Sequence, residues 1–258
     1  MRRFAILSAI AGAVFLSLSP AKADIRIGVM NEAYPPLFWK DASGKWQGWS
    51  IEVMDAVCAQ MKEHCTIVDM SWDGLIPALL AKKFDVIWSD MSITDERKKV
   101  ITFTDPYEKG PQVIVGAKDG KLGTAPDDLA GKTLGIQVST IQEKYFKKYY
   151  AEKSSIKIYQ TQDEANQDLA SGRIDYIFAG APAMLAFLKT DIGQACCESK
   201  GNVKYDTSIF GYGTGGGLRK EDTELLKKLN EGIAGVIKSG EYKKISDKYF
   251  SYDPMGGE

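Results

Sequence analysis

Two stretches of 25 residues, TIVDMSWDGLIPALLAKKFDVIWSD (66–90) and IKIYQTQDEANQDLASGRIDYIFAG (156–180), follow one plan. Each reads as a short strand, a helix, a tight turn and a buried strand. Each closes on one phrase: a basic residue, a hydrophobic residue, an aspartate and an apolar run (KFDVIWSD, RIDYIFAG). A strand–helix–strand unit places its two strands parallel in a sheet, because the helix must cross over to return the chain. The chain is therefore expected to be α/β with mostly parallel sheets. Any α/β chain can repeat such a unit, so the pattern alone leaves open one sheet or two similar lobes. Ligands of open α/β sheets bind beyond the carboxyl ends of strands. The first phrase ends on Asp90 and the second on Gly180. If two lobes face each other, these positions line one cleft.

The rest of the chain keeps the alternation. Strands are expected at 25–30 (IRIGVM), 134–138 (LGIQV) and 174–179 (IDYIFA). Apolar residues at helical spacing predict helices over 51–61, from 140 onward, and over 221–240 and 241–250. Asp73 and Asp163 are expected helix N-caps, and Gly172 a helix stop.

Residues 1–23 read as a secretory signal: two arginines, an apolar run from Phe4 to Leu18, and Ala21-Lys22-Ala23 as a cleavage site. Removal of Arg2, Arg3 and Lys22 takes the formal charge from −1 to −4. A mildly acidic chain offers no footprint for nucleic acid. His64 is the single histidine, and no His/Cys/carboxylate spacing reads as a metal site. An exported chain can hold disulfides. Cys58 and Cys65 enclose six residues and suit a local bridge of about 2–3 kcal/mol by loop-closure entropy. Cys196 and Cys197 are neighbours, and their state is open.

After Asp90 comes MSITDERKKVITFTDPY (91–107). Ser92 and Thr94 bring hydroxyls to a strand end, and Arg97 brings a planar fork of donors that matches a carboxylate with two parallel bonds. Asp95, Glu96, Lys98 and Lys99 surround it, so a solvated charge cluster is the competing reading.

This stretch, with AYPPLFWKDASGKWQGWSIEV, WDGLIPALLAKKFDVI, GIQVSTIQEKYF, GRID and GTGGGLRKEDTELLKKLN, resembles the family-3 extracellular solute-binding proteins of amino-acid ABC transporters. The resemblance covers the chain from about residue 24 onward. It lies nearest the histidine, lysine/arginine/ornithine and opine binders. It implies the type II periplasmic-binding-protein fold: two α/β lobes, each a mostly parallel sheet flanked by helices, joined by a two-strand hinge. The implied boundaries are 24–109 with 209–258 for the first lobe and 110–208 for the second. Carried onto this chain, Arg97 and Ser92 would hold a ligand carboxylate. Ser139 and Thr140 would add N–H groups from a helix start. Tyr34 and Trp72 would sandwich the ligand side chain, with Tyr34 stiff and exposed before Pro35-Pro36. Ser89, Met91, Ile141 and Gly180 would line the cleft.

Three positions depart from the family. Gly180 stands where an aspartate usually meets the ligand α-ammonium, and Ile141 where close relatives have a hydroxyl. Asp90 stands where relatives carry serine or glycine. A buried ammonium without a partner costs several kcal/mol. The acid is therefore read as moved to Asp90, with room left at Gly180. The ligand is then an N-substituted amino acid of opine type, a carboxylate with a distal cation, or a plain basic amino acid in shifted contacts. An exported enzyme of the cyclohexadienyl dehydratase kind is the alternative of another class, with Asp90 and Glu143 as the available acids. The reading is otherwise of a periplasmic monomer with no cofactor, a small-molecule ligand and a membrane permease as partner.

Overall fold

The computed structural model describes residues 24–256, so the signal segment expected at 1–23 lies outside the described residues. In chain order the strands are β1 Ile25–Met30, β2 Trp39–Lys40, β3 Trp46–Gln47, β4 Cys65–Met70, β5 Val86–Ile87, β6 Thr102–Phe103, β7 Gln112–Ala117, β8 Thr133–Gln137, β9 Ser155–Tyr159, β10 Tyr176–Gly180, β11 Cys197–Asn202 and β12 Gly217–Leu218. Two five-stranded sheets form, in the orders β4-β1-β5-β12-β6 and β9-β8-β10-β7-β11, with β2 and β3 as a separate hairpin. Helices flank both sheets, and the architecture is α/β with two lobes.

The two orders match place for place. β4 and β5 hold the outer and inner positions around β1, as β9 and β10 do around β8. In each sheet these three run parallel, and the fourth strand, β12 or β7, runs the other way. The fifth strand is antiparallel to the fourth, so it runs with the first three. The doubled unit therefore fills one role in two sheets.

The shared aspartate of the phrase has one job in both copies. Asp85 donates its N–H to the Arg26 carbonyl at 2.8 Å and accepts the Arg26 N–H on Oδ2 at 3.0 Å. Asp175 donates to the Thr133 carbonyl at 3.0 Å and accepts the Thr133 N–H on Oδ2 at 2.9 Å. Each aspartate thus satisfies an N–H at the start of the neighbouring parallel strand, the second of β1 and the first of β8. Two residues further along that strand sits a glycine. A Cβ at Gly28 would lie 2.5 Å from the Phe84 ring, and one at Gly135 would lie 2.5 Å from Ile174 Cδ1. The glycine makes room for the hydrophobic residue that precedes the aspartate.

Local details differ from expectation at the caps. Asp73 lies inside a 3-10 turn, Trp72–Gly74, and caps nothing with its side chain. The helix Gln162–Ala170 is capped by Thr161 in a capping box with Glu164, so Asp163 sits in its first turn. A threonine hydroxyl in extended backbone reaches the third N–H, and Asp163 is already helical. Gly172, with φ of 68°, follows that helix as expected. Cys58 and Cys65 are bonded, and so are Cys196 and Cys197.

Candidate functional site

The carboxyl ends of β5 and β10 open onto one cleft between the lobes. Its wall includes Met30, Tyr34, Trp72, Ser89, Asp90, Ser92 and Arg97 from the first half of the chain and Gln137, Thr140, Ile141, Gln142 and Gly180 from the second. The cleft is partly open to solvent. Asp90 and Gly180 thus meet across one space.

Arg97 lies in the four-residue helix Asp95–Lys98, whose first turn is held by the Thr94 hydroxyl accepting the Arg97 N–H at 3.2 Å. Its Nη1 donates to the Ser92 carbonyl at 3.0 Å, and its guanidinium carbon stands 5.3 Å from the centre of the Trp72 ring. Among the described residues no carboxylate pairs with it. Burial pushes its pKa down to about 10, so it stays charged at neutral pH. A half-buried cation held only by a carbonyl and a ring face is set up for an external anion.

Asp90 has φ of 54°, a left-handed turn that aspartate tolerates better than most residues. Its Oδ1 accepts from the Thr214 hydroxyl at 3.1 Å. Burial raises its pKa to about 6, against the pull of Thr214, Glu108 and Arg97. Glu108 is 5% exposed and lies in the same wall. Burial and the neighbouring Asp90 push its carboxyl well above the usual carboxylate range. Two acids that share one dry site cannot both ionise cheaply.

Three contacts join the lobes around this space. Trp72 Nε1 donates to the Ser139 carbonyl at 3.4 Å, Lys144 pairs with Glu96, and the Gly180 N–H faces the Tyr34 hydroxyl. On the far side Thr140 caps the helix Ile141–Tyr149, and Thr140, Ile141 and Gln142 line the cleft at its positive end.

Several expected roles change. Met91 is 2% exposed and belongs to the core, because the turn at Asp90 sends the next side chain inward and returns Ser92 to the cleft. Ser139 is exposed and outside the cleft wall: its N–H goes to Glu143 at 3.1 Å and its carbonyl to Trp72. Tyr34 is 9% exposed instead of open to solvent, stacked on Phe38 with its hydroxyl against Gly180. A Cβ at Gly180 would lie 3.3 Å from that hydroxyl, so Tyr34 shares the room Gly180 leaves. The Ser89 hydroxyl accepts the Met30 N–H at 2.9 Å and ties β5 to β1. Tyr34, Trp72, Ser89, Asp90, Ser92, Arg97, Thr140, Ile141 and Gly180 do share the wall.

Sequence reasoning missed Glu108, Thr214 and the amides Gln112, Gln137 and Gln142. Glu108 sits in PYEKG, which reads as a solvated loop. Met30 and Gln137 close equivalent strands, β1 and β8, and the strand-end argument applied to that pair would have found them.

Comparisons with known proteins agree with this geometry. The profile of the bacterial extracellular solute-binding proteins, family 3, matches residues 25–252. The L-arginine-binding protein of Pseudomonas aeruginosa is 38% identical over 260 residues, covering 99% of each chain. The histidine-binding periplasmic protein of Escherichia coli is 38% identical over 236 residues, covering 91% of this chain and 90% of that one. Among solved structures, an ancestral arginine-binding protein bound to arginine superimposes with a TM-score of 0.81 at 32% identity, covering 89% of this chain and 99% of that one. An ancestral amino acid-binding protein described as a precursor of cyclohexadienyl dehydratase has a TM-score of 0.77 at 30% identity, covering 88% and 95%. The chain belongs to the bacterial extracellular solute-binding proteins of family 3.

Proposed function

We propose that this protein takes a ligand with at least one carboxylate and at least one cationic nitrogen, an N-substituted amino acid of opine type, and hands it to the membrane permease of an ABC importer. One observation carries the reading: a guanidinium, Arg97, that has no carboxylate partner among the described residues, and an acidic pair, Asp90 with Glu108, face the same cleft. Arg97 and Ser92 receive the carboxylate, and Asp90 receives the amine. With Gly180 in place of an acid, the second lobe supplies no charge for a free α-ammonium. A substituted nitrogen held by the first lobe suits that arrangement. Trp72 and Tyr34 flank the ligand side chain, and the N–H groups of the Thr140–Gln142 turn complete the carboxylate site on closure. The lobes are taken as 24–109 with 209–258, and 110–208, and the protein as a periplasmic monomer without cofactor.

A plain basic amino acid is the second reading. It is supported by the ligands of two relatives, the L-arginine-binding and the histidine-binding protein. Calorimetric titration with arginine, lysine, histidine and a panel of N-carboxyalkyl amino acids separates the two. Tighter binding of an N-carboxyalkyl derivative is expected. Binding of arginine or lysine alone would leave the second reading standing and remove the first. Catalysis is not part of the proposal, although a buried neutral acid is what a dehydratase would use. Incubation with prephenate and arogenate should give no turnover, and any turnover at all would replace capture with chemistry.

A further inference from the structure

The chain crosses between the lobes twice, through residues 104–111 on the way out and 203–216 on the way back. The two crossings pair at Glu108 and Thr214: the Thr214 N–H donates to the Glu108 carbonyl at 2.8 Å, and the Tyr107 N–H donates to the Thr214 carbonyl at 2.9 Å. Thr214 also bridges to Ser92. Asp90, from the end of β5, reaches this junction and accepts the Thr214 hydroxyl at 3.1 Å. The acid pair therefore sits where the lobes join, at the floor of the cleft.

Glu108 is placed with care. It is almost wholly buried, and a Cβ at Gly110 would lie 2.5 Å from its Oε1, so only a glycine two residues on lets the carboxyl fold back. Among the described residues it makes no ion pair. The titratable groups that act on the pair from neighbouring elements are Arg97 and the phenols of Tyr34, Tyr107, Tyr205, Tyr242 and Tyr252. One cation faces two acids, and it approaches from the Asp90 side. A second ionised carboxylate here would have no partner.

We propose that Glu108 is a positioning residue that acts as a neutral carboxylic acid, donating its O–H to Asp90, so that the pair offers one negative charge to one ligand cation. The proposal rests on the reading of Asp90 as the cation acceptor and assigns to Glu108 a role that the family resemblance does not carry. A protonated carboxyl in an apolar site is a good donor that a charged one cannot be. It fixes the Asp90 carboxylate and lowers the cost of ionising it. It also limits the pair to one ligand cation, so a second cationic group of the ligand must find its place elsewhere in the cleft.

The test compares Glu108→Gln with Glu108→Leu, using L-arginine and N-(1-carboxyethyl)-L-arginine as probes in calorimetric titrations from pH 5 to 8. Glutamine keeps a neutral donor, and leucine removes it. Glu108→Gln is expected to restore most of the affinity that Glu108→Leu loses, a loss of about tenfold at pH 7. Glu108→Leu should also move the pH at which binding fades upward by about one unit, while Glu108→Gln keeps the wild-type midpoint. Equal losses in the two variants would mean that Glu108 binds as an anion and would overturn the proposal. Superimposable pH profiles for wild type and Glu108→Leu would do the same. If Glu108→Leu does not fold, the Glu108→Gln profile decides alone, and a shifted midpoint counts against the proposal. Absence of any heat from wild type with both probes would instead overturn the functional reading, and this proposal with it.

Discussion

Arg97 lies across the face of Trp72, 5.3 Å from guanidinium carbon to ring centre, and both line the cleft. The ring is half-buried and covers one side of the cation, leaving its N–H edge for a ligand. Arg97→Ala should abolish measurable ligand heat, a loss of about two orders of magnitude or more for a charge-assisted pair. The thermal melting point should hardly move, because the side chain carries no core packing. Arg97→Lys should recover little, since an ammonium cannot make two parallel bonds. Calorimetry beside a melt decides it. Retained affinity in Arg97→Ala would remove the carboxylate assignment.

Asp90 gives a pH dependence whose sign can be worked out. Its folded pKa, about 6, lies above the ordinary aspartate value, so the folded state holds a proton more readily than the unfolded one. The stability it contributes is full at acid pH and is lost as pH rises from about 4 through about 6. Asp90→Asn should therefore melt like wild type near pH 4 and above it at pH 7.5, by on the order of 1 kcal/mol for this partly exposed group. Ligand affinity runs the other way. A cation needs the ionised form, so wild-type affinity should fall about tenfold per unit below pH 6, and Asp90→Asn should bind weakly at every pH. A melting gap that shrinks with rising pH would contradict this account.

How much of this was legible depends on how local the cause is. The phrase that carries Asp85 and Asp175 could be read, because strand, turn and helix are set by neighbours in sequence. Its reason could not be read, since the partners Arg26 and Thr133 come from other strands. The reversed strands β7 and β12 escaped notice: β12 is two residues long, and β7 is an apolar run with no helix to announce it. Met91 was misplaced because one left-handed residue at Asp90 breaks the period-two alternation that strand reasoning assumes. Glu108 was missed because its partner Thr214 is more than a hundred residues away. A lone acid in a loop looks solvated until the two crossings are brought together.

Gly180 offers a test of selectivity. An aspartate there would place an acid on the second lobe, and its Cβ would stand 3.3 Å from the Tyr34 hydroxyl. Gly180→Asp should favour a free α-ammonium over a substituted nitrogen, changing the affinity ratio of L-arginine to N-(1-carboxyethyl)-L-arginine by about tenfold. Gly180→Ala, which crowds Tyr34 without adding charge, should move that ratio by less than about threefold. Equal changes for both ligands in Gly180→Asp would mean that position 180 does not read the nitrogen.

The two sheets also predict matching responses to matching substitutions. Gly28→Ala drives a methyl into the Phe84 ring, and Gly135→Ala drives one into Ile174. Both hydrophobic residues are buried, 0% exposed for Phe84 and 4% for Ile174, so neither can swing into solvent. Each alanine should cost about 1–3 kcal/mol by overpacking. Phe84→Leu should cost about 1 kcal/mol in the wild-type background and less beside Gly28→Ala, because the smaller side chain makes the room that the methyl needs. Ile174→Val should relieve Gly135→Ala in the same way. Urea melts of the four single variants and two doubles give the coupling. Additive costs in both lobes would mean that the glycine and the hydrophobic residue are independent. Coupling in both would show that the doubled phrase is one packing solution used twice, with its last residue, Asp90 or Gly180, left outside that packing and turned to the cleft.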